Sequence, residues 1–434
     1  MIFSHLMVDF QPPKGYDLSM FRRNITDSVK KALSDTAVVL LIGARQCGKS
    51  TLVQSLSGEG YEPQYLTFDD PTLLAVASED PMAFLSSVQR PVIFDEVQRI
   101  PELLIPIKKM VDEDRQPGSF LLTGSANVLL LPTVADALVG RMEAITLRPL
   151  SQGEILGRQE NFISRICDDA FALPKRTEQI DRELLFSQIL TGGFPEAVQR
   201  TTVSARDRWF RSYIATLLQR DVRELSNIDS TADLLRLLSV LAARCGGLLN
   251  FADISRSTGI PQTTLKRYIA MFERLFVIEF LPAYSANLTK RLTRSPKLYF
   301  VDTGILANLT GATLAKLNLD SSIAGTLMEN FVISELRKQA GWSSTAASMF
   351  HFRTVNNEEV DLVVELPGGD CVGIEIKSGA SVTGDAFKGL KVLKNELGPK
   401  FKRGIVLYTG EVSVAFADDL FAMPVQTLWD DRSQ

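Results

Sequence analysis

The segment Gly43-Ala-Arg-Gln-Cys-Gly48-Lys49-Ser50 fits the pattern GxxxxGK[ST] without a gap, and no other part of the chain constrains its fold as strongly. The apolar run Ala37–Ile42 precedes it and a helical stretch, Thr51–Leu56, follows it. A strand, a glycine turn and a helix N-terminus in that order make an anion cradle, because free backbone N–H groups converge at the helix start. Residues Gly43, Ala44, Arg45, Gln46, Cys47, Gly48, Lys49, Ser50 and Thr51 are therefore expected to line a nucleoside triphosphate, ATP by preference. Lys49 would reach the β- and γ-phosphates, and the Ser50 hydroxyl would ligate Mg²⁺. The plain alternative is a chance glycine turn ahead of a helix. Cys47, inside the loop, reads as a small filler rather than a redox switch.

What surrounds the loop fits an α/β fold. Short apolar runs at Ala37–Ile42, Gln64–Phe68, Pro91–Phe94, Ser119–Thr123 and Glu143–Leu147 alternate with polar helical stretches. Strands spaced in this way predict a parallel sheet with crossover helices. A further helix is expected over Leu18–Ser34. The run Pro91-Val-Ile-Phe-Asp95-Glu96 ends an apolar strand in two carboxylates. Asp95 would hold Mg²⁺, and Glu96 would orient or deprotonate the attacking water; an acidic loop at a strand end is the alternative. In Phe120-Leu-Leu-Thr123-Gly-Ser125-Ala-Asn127, Thr123 and Ser125 are candidates to sense the γ-phosphate, since ligands bind at the carboxyl ends of such strands. Ordinary turn formation is the competing reading.

The order of phosphate loop, strand with a terminal Asp-Glu pair, and polar strand end is similar to the AAA+ superfamily of ATPases. More narrowly, "LLIGARQCGKSTL", "VIFDEVQ", "LLTGSAN" and "LVGRMEAITLRPLS" resemble a prokaryotic ATPase family whose members carry a C-terminal region of uncharacterised function. The resemblance spans nearly the whole chain. It implies ATP hydrolysis, a helical lid after Ser151, and a helix break there at Gly192-Gly193-Phe194-Pro195-Glu196. It also implies a role for Arg141 at a neighbouring subunit's γ-phosphate, with a cis contact or a plain surface position as the alternatives. Oligomerisation stays open.

Farther along, Phe251–Tyr268 reads as helix, glycine-containing turn, helix, with Ile254, Ile260, Leu265 and Ile269 spaced for two packed helices. Phe276–Leu281 and Lys297–Val301 are candidate wing strands. Eight Lys/Arg against two Glu between Arg256 and Lys297 make this unit basic within a chain of net charge −4. A recognition helix bearing Lys266 and Arg267 could meet DNA phosphates or a major groove; a protein-contact or spacer role is the alternative.

The last part of the chain carries Glu358-Glu359-Val360-Asp361-Leu-Val-Val-Glu365-Leu366, the turn Pro-Gly-Gly, and Asp370-Cys-Val-Gly-Ile374-Glu375-Ile376-Lys377. A three-residue turn that sets Leu366 opposite Asp370 sets Asp361 opposite Glu375. By alternation, Glu359, Asp361, Glu375 and Lys377 share one face, while Val360, Leu362, Val364, Ile374 and Ile376 are buried on the other. Paired carboxylates suit a second Mg²⁺ or Mn²⁺, and Lys377 could position water. This layout resembles the PD-(D/E)XK nuclease superfamily, and Glu329, in the helical Gly325–Arg337, matches the extra acidic residue of its resolvase-like branch. Glu329, Asp361 and Glu375 are then metal-ligand candidates. The chain departs from the pattern in lacking a clear proline before Asp361. An inactive nuclease-like fold and a plain solvated hairpin remain open beside an active nuclease.

Composition narrows the remaining classes. Only two histidines and four scattered cysteines occur in 434 residues, which argues against His-rich metal centres, Ser-His-Asp chemistry and a disulfide framework, and for a cytoplasmic protein. No apolar run approaches the ~20 residues of a membrane helix, and no signal peptide is expected. The expected division is an ATPase core at 1–152, a helical lid at 153–231, a winged-helix-like segment at 232–310 and a small α/β, restriction-endonuclease-like domain at 311–434. The expected alternative to a DNA-directed ATPase is a nucleotide-switched assembly module whose C-terminal fold only binds a partner.

Overall fold

The computed structural model describes residues 21–58, 61–125, 140–174, 180–225 and 231–430. The start of the expected first helix, at 18–20, and Asn127 lie outside them. Two compact units emerge, one of residues 20–150 with 270–277, the other of 151–269 with 278–434.

In the first unit, β1 (Val38–Ile42), β2 (Gln64–Thr67), β3 (Val92–Asp95), β4 (Phe120–Gly124) and β5 (Met142–Thr146) form a sheet of order β2-β3-β4-β1-β5. Every pairing is parallel. β1, β3 and β4 are buried along their whole length, as strands covered on both faces by crossover helices must be, and hence they read as unbroken apolar runs rather than alternating ones. Phe68, Phe94 and Phe120 stack across β3 and its neighbours, with ring centroids 5.6 and 6.4 Å apart. The helix expected from Leu18 is observed over Thr26–Asp35. Residues 21–23 are not helical, and the Thr26 amide and hydroxyl both donate to the Arg23 carbonyl, closing a turn there.

The second unit begins with helices at Gln152–Ile155, Phe162–Cys167, Arg182–Thr191, Pro195–Val198 and Val203–Leu225. The break at Gly192 has a specific cause. Gly192 sits at φ +70°, and a Cβ there would lie 2.3 Å from Asp302 Oδ1. Asp302 accepts from the Gly193 amide at 2.6 Å and caps the helix Thr303–Thr310 through the Gly304 amide at 2.8 Å. The helices Phe251–Thr258 and Gln262–Arg274 are joined through Gly259 at φ +76°. Ile254, Ile260, Leu265 and Ile269 are buried as their spacing requires. β6 (Ile278–Leu281) and β7 (Lys297–Phe300) then pair antiparallel.

The C-terminal part is a separate six-stranded mixed sheet of order β12-β13-β11-β10-β9-β8, built from β8 (Ser348–Arg353), β9 (Glu359–Glu365), β10 (Cys371–Lys377), β11 (Phe401–Tyr408), β12 (Val414–Ala417) and β13 (Leu420–Pro424). The helix Lys388–Leu397 makes the crossover between the parallel β10 and β11. It lies close on the sheet because Gly373 and Gly389 lack side chains: a Cβ on Gly389 would meet the Glu359 carbonyl at 1.9 Å. The β9–β10 hairpin has the expected register, with Cys371 opposite Glu365 and Ile374 opposite Leu362. The expected two-faced alternation fails, however. Phe350 pairs with Val363 but Phe352 with Val360, so β9 carries one extra residue at Asp361–Leu362. This bulge turns Val360 and Val363 toward one apolar cluster with Leu390 and Leu393, which strict alternation forbids.

Candidate nucleotide site and the C-terminal carboxylate cluster

The phosphate loop follows β1 directly. Gly43 has no room for a side chain, since a Cβ would lie 2.1 Å from the Leu147 carbonyl oxygen. Gln46 and Gly48 both take positive φ, +62° and +100°, the conformation that turns consecutive N–H groups toward one point. Ala44 and Cys47 are buried beneath the loop, with the Cys47 thiol 3.4 Å from the Leu147 carbonyl; that placement fits a small filler. Gln46 and Thr51 are exposed and Arg45 half-buried. Lys49 begins the helix Lys49–Gln54, is buried, and donates to the Gly43 and Ala44 carbonyls at 3.0 and 2.9 Å.

Asp95 ends β3 beside this loop. Its Oδ2 accepts from Ser50 Oγ at 2.8 Å and from the Tyr65 hydroxyl at 2.7 Å, and its Oδ1 accepts from Thr123 Oγ1. Thr123 Oγ1 in turn accepts the Glu96 amide at 3.1 Å. Glu96 holds the left-handed conformation, φ +60°. Its carboxylate takes the Ser125 hydroxyl and the Gln98 side-chain amide, and Gln98 Oε1 accepts the Ser125 amide at 3.3 Å. Burial first, and then the Asp95 carboxylate, push the Tyr65 phenol up to about 12, so it stays a donor at neutral pH. The residues expected at the ends of β1, β3 and β4 are thus brought together. Three partners escaped the sequence reading: Tyr65, Gln98 and Arg23, whose guanidinium donates to the Cys47 and Arg148 carbonyls at 2.9 and 2.6 Å. Gln98 lies two residues after Glu96 and closes the phrase "VIFDEVQ", which was the available signal.

A buried ammonium satisfied by loop carbonyls, and a hydroxyl against a carboxylate in a hard-oxygen set, are what a triphosphate and its Mg²⁺ require of a protein; these residues fit both. Arg141 makes a two-point ion pair with Asp112, its Nη2 lying 3.0 Å from Oδ2.

The C-terminal carboxylates are arranged differently from the sequence expectation. The ladder stops at Leu362 and Ile374, one position short of Asp361 and Glu375. Instead Asp361 Oδ2 accepts the Ile376 amide at 2.8 Å. Glu375 pairs with Lys377 at 2.7 Å, and its Oε2 is buried without a hydrogen-bond partner. Lys297, from β7, enters the cluster: its Nζ lies 2.6 Å from Glu359, 2.9 Å from Glu329 and 3.7 Å from Asp361. Burial, followed by the Glu329 and Glu375 charges, raises the Asp361 carboxyl well above its ordinary range. Glu375 is also raised, chiefly by burial. Burial works against the Lys297 charge, but Glu329, Asp361 and Glu359 outweigh it and the net displacement is upward. Among the described residues no group of three or more His, Cys, Asp or Glu side chains is placed to hold a metal ion, and no helix is long and apolar enough to cross a membrane.

Comparison with known proteins agrees with this layout. Residues 35–156 match the AAA domain family, residues 182–316 a domain of unknown function (DUF8612), and residues 324–428 another (DUF4143). Uncharacterized proteins of Mycobacterium tuberculosis and Mycobacterium bovis are each 30% identical over 413 residues, 94% of this chain and 84% of theirs. Among solved structures, a Walker-type ATPase of Pyrococcus abyssi is 15% identical with a TM-score of 0.40, covering 69% of this chain and 99% of that one. RuvB of Thermotoga maritima is 20% identical with a TM-score of 0.30, covering 62% and 94%. AMPPCP-bound DnaA of Aquifex aeolicus is 16% identical with a TM-score of 0.28, covering 57% and 86%. The parallel sheet with its phosphate loop, the AAA domain match and the near full-length relatives together place this chain in a prokaryotic family of AAA+ P-loop ATPases with a C-terminal domain of unknown function.

Proposed function

We propose that the chain is a Mg²⁺-dependent ATP hydrolase that acts on, or is regulated by, DNA. The observation that carries the hydrolytic part is the convergence of Lys49, Ser50, Asp95, Glu96 and Thr123 at the carboxyl ends of β1, β3 and β4. In this reading the loop N–H groups bind phosphate oxygens, and Lys49 turns from the loop carbonyls to the β- and γ-phosphates. Ser50 and Asp95 would hold Mg²⁺, which supplies charge stabilisation on the transferring phosphoryl group. Glu96 orients the attacking water and accepts its proton. Thr123 fixes β3 against β4 through Asp95 and the Glu96 amide, and Ser125 with Gln98 sets the Glu96 carboxylate. Arg141, held by Asp112 within the chain, would reach a neighbour only by exchanging that exposed pair, which solvent screening makes weak. Glu96→Gln tests the assignment: ATP binding kept, turnover slowed.

The DNA part is supported by the helix Gln262–Arg274, on which Lys266 and Arg267 are exposed while Leu265 and Ile269 face inward. Absence of DNA binding at low salt would sink it. For the C-terminal domain two readings stand: a Mg²⁺- or Mn²⁺-dependent nuclease using Asp361, Glu375 and Lys377, and a nuclease-like sheet that only binds a partner. The Lys297 ammonium among Glu329, Glu359 and Asp361 favours the second. Plasmid and linear DNA incubated with Mn²⁺ or Mg²⁺, with and without ATP, separate the two. Cleavage lost in Asp361→Ala would establish the nuclease.

A further inference from the structure

We propose that Lys297 is the resident cation of the C-terminal carboxylate cluster, a latch that fastens β7 to the six-stranded sheet and closes that seat to a divalent metal. The latch deepens the partner-binding reading of this domain, but it rests on its own contacts. Lys297 is 3% exposed, and its ammonium meets carboxylates from two elements: Glu329 of the helix Ser321–Ala340, and Glu359 and Asp361 of β9. Two residues along β7, the Tyr299 hydroxyl donates to the same Glu329 oxygen at 2.6 Å. The strand is also held from behind, since the Leu249 amide donates to the Pro296 carbonyl at 2.9 Å and the Leu298 amide to the Gly247 carbonyl at 3.0 Å. Glu329 closes this side too: a Cβ on Gly246 would lie 3.2 Å from its Oε2.

The spacing is that of an ammonium. Carboxylate oxygens of Glu359 and Glu329 at 2.6 and 2.9 Å from Lys297 Nζ suit N–H donors, with Asp361 at 3.7 Å in ion-pair range only, whereas Mg²⁺ draws its oxygens to about 2.0–2.1 Å. A divalent ion could enter only after the carboxylates had closed by roughly an ångström and Lys297 had left, because the two positive charges repel at that range. A buried lysine surrounded by carboxylates is also one that the fold cannot lose cheaply. Without it Glu329, Glu359 and Asp361 would face one another with their main counter-charge removed.

The test uses the full, nucleotide-free chain carrying Asp95→Asn, which removes the carboxylate ligand of the ATP-site cation. Thermal unfolding and Mn²⁺ binding by electron paramagnetic resonance are measured on this chain and on added Lys297→Met, Lys297→Arg and Lys297→Met/Glu329→Gln. The latch predicts that Lys297→Met lowers the midpoint by about 5 °C or more, that Glu329→Gln returns at least half of the loss, and that Lys297→Arg stays close to the midpoint of the Asp95→Asn chain. It also predicts at least tenfold tighter Mn²⁺ binding once Lys297 is gone. An unchanged midpoint in Lys297→Met, or Mn²⁺ bound as tightly with Lys297 as without it, overturns the proposal. Should Lys297→Met fail to fold, Glu329→Gln alone decides: a lowered midpoint supports the latch and an unchanged one overturns it. Asp361-dependent DNA cleavage would overturn the partner-binding reading separately, and the midpoints would still judge the latch.

Discussion

Gly192 and Glu96 both take a positive φ, for different reasons, and both make predictions. At Gly192 any side chain would strike Asp302, which is committed to the Gly193 and Gly304 amides. Gly192→Ala should therefore cost about 3 kcal/mol, from a clash added to positive-φ strain, read as a lower denaturant midpoint; an unchanged midpoint would contradict the packing described. At Glu96, φ +60° places the carboxylate against Ser125 and Gln98. Tyr65 adds a donor to Asp95 worth about 1 kcal/mol. Tyr65→Phe should raise the Mg²⁺ concentration needed for half-maximal hydrolysis a few-fold while leaving the saturated rate less affected. An equal Mg²⁺ dependence would remove Tyr65 from the site. Lys49, Ser50, Asp95 and Glu96 could be read in the sequence because each stands at a fixed offset from a strand end. Tyr65 and Arg23 could not, because their contacts cross the sheet and the loop from positions without a local signature.

At the scale of elements, the parallel strands and the helix pair were legible from apolar runs and spacing, and the hairpin register from its three-residue turn. The β9 bulge was not. Nothing in Val360-Asp361-Leu362 marks an extra residue, and the deviation arises from pairing with β8 on the far side of the strand. Its consequence is local: Asp361 trades a place in the ladder for the Ile376 amide. The first helix was over-extended because Phe21–Ile25 contains no proline or glycine to mark a boundary, whereas the turn on the Arg23 carbonyl sets one. For the helix Gln262–Arg274, replacing Lys266 and Arg267 together by Glu should weaken DNA binding at least tenfold. If both contact phosphates, the slope of log affinity against log salt should fall by about 2. Binding that is indifferent to both charges would return this segment to a protein-contact or spacer role.

At the scale of the molecule, what the sequence could not give was which distant pieces meet. Asp302 reaches Gly193 across 109 positions, and Lys297 reaches Glu329 across 32. His351 makes a molecule-wide prediction. It is buried, its Nε2 faces the Ser295 carbonyl, and its Nδ1 has no partner. Burial, then the Lys297 charge, lower it to about 4. The unfolded chain therefore binds the extra proton between pH 6.5 and about 4, and the fold loses stability as pH falls through that window, by up to ~3 kcal/mol. His351→Gln should flatten the pH dependence there; an unaltered slope would assign it to other groups. The most direct test of the whole account remains ATP turnover by the intact chain, with and without DNA, beside Glu96→Gln. The expected result is Mg²⁺-dependent hydrolysis stimulated by DNA, and a Glu96→Gln chain that binds ATP as before but turns it over about a hundredfold or more slowly. Turnover that Glu96→Gln leaves unchanged would contradict the assignment of the site, and turnover indifferent to DNA would contradict the coupling.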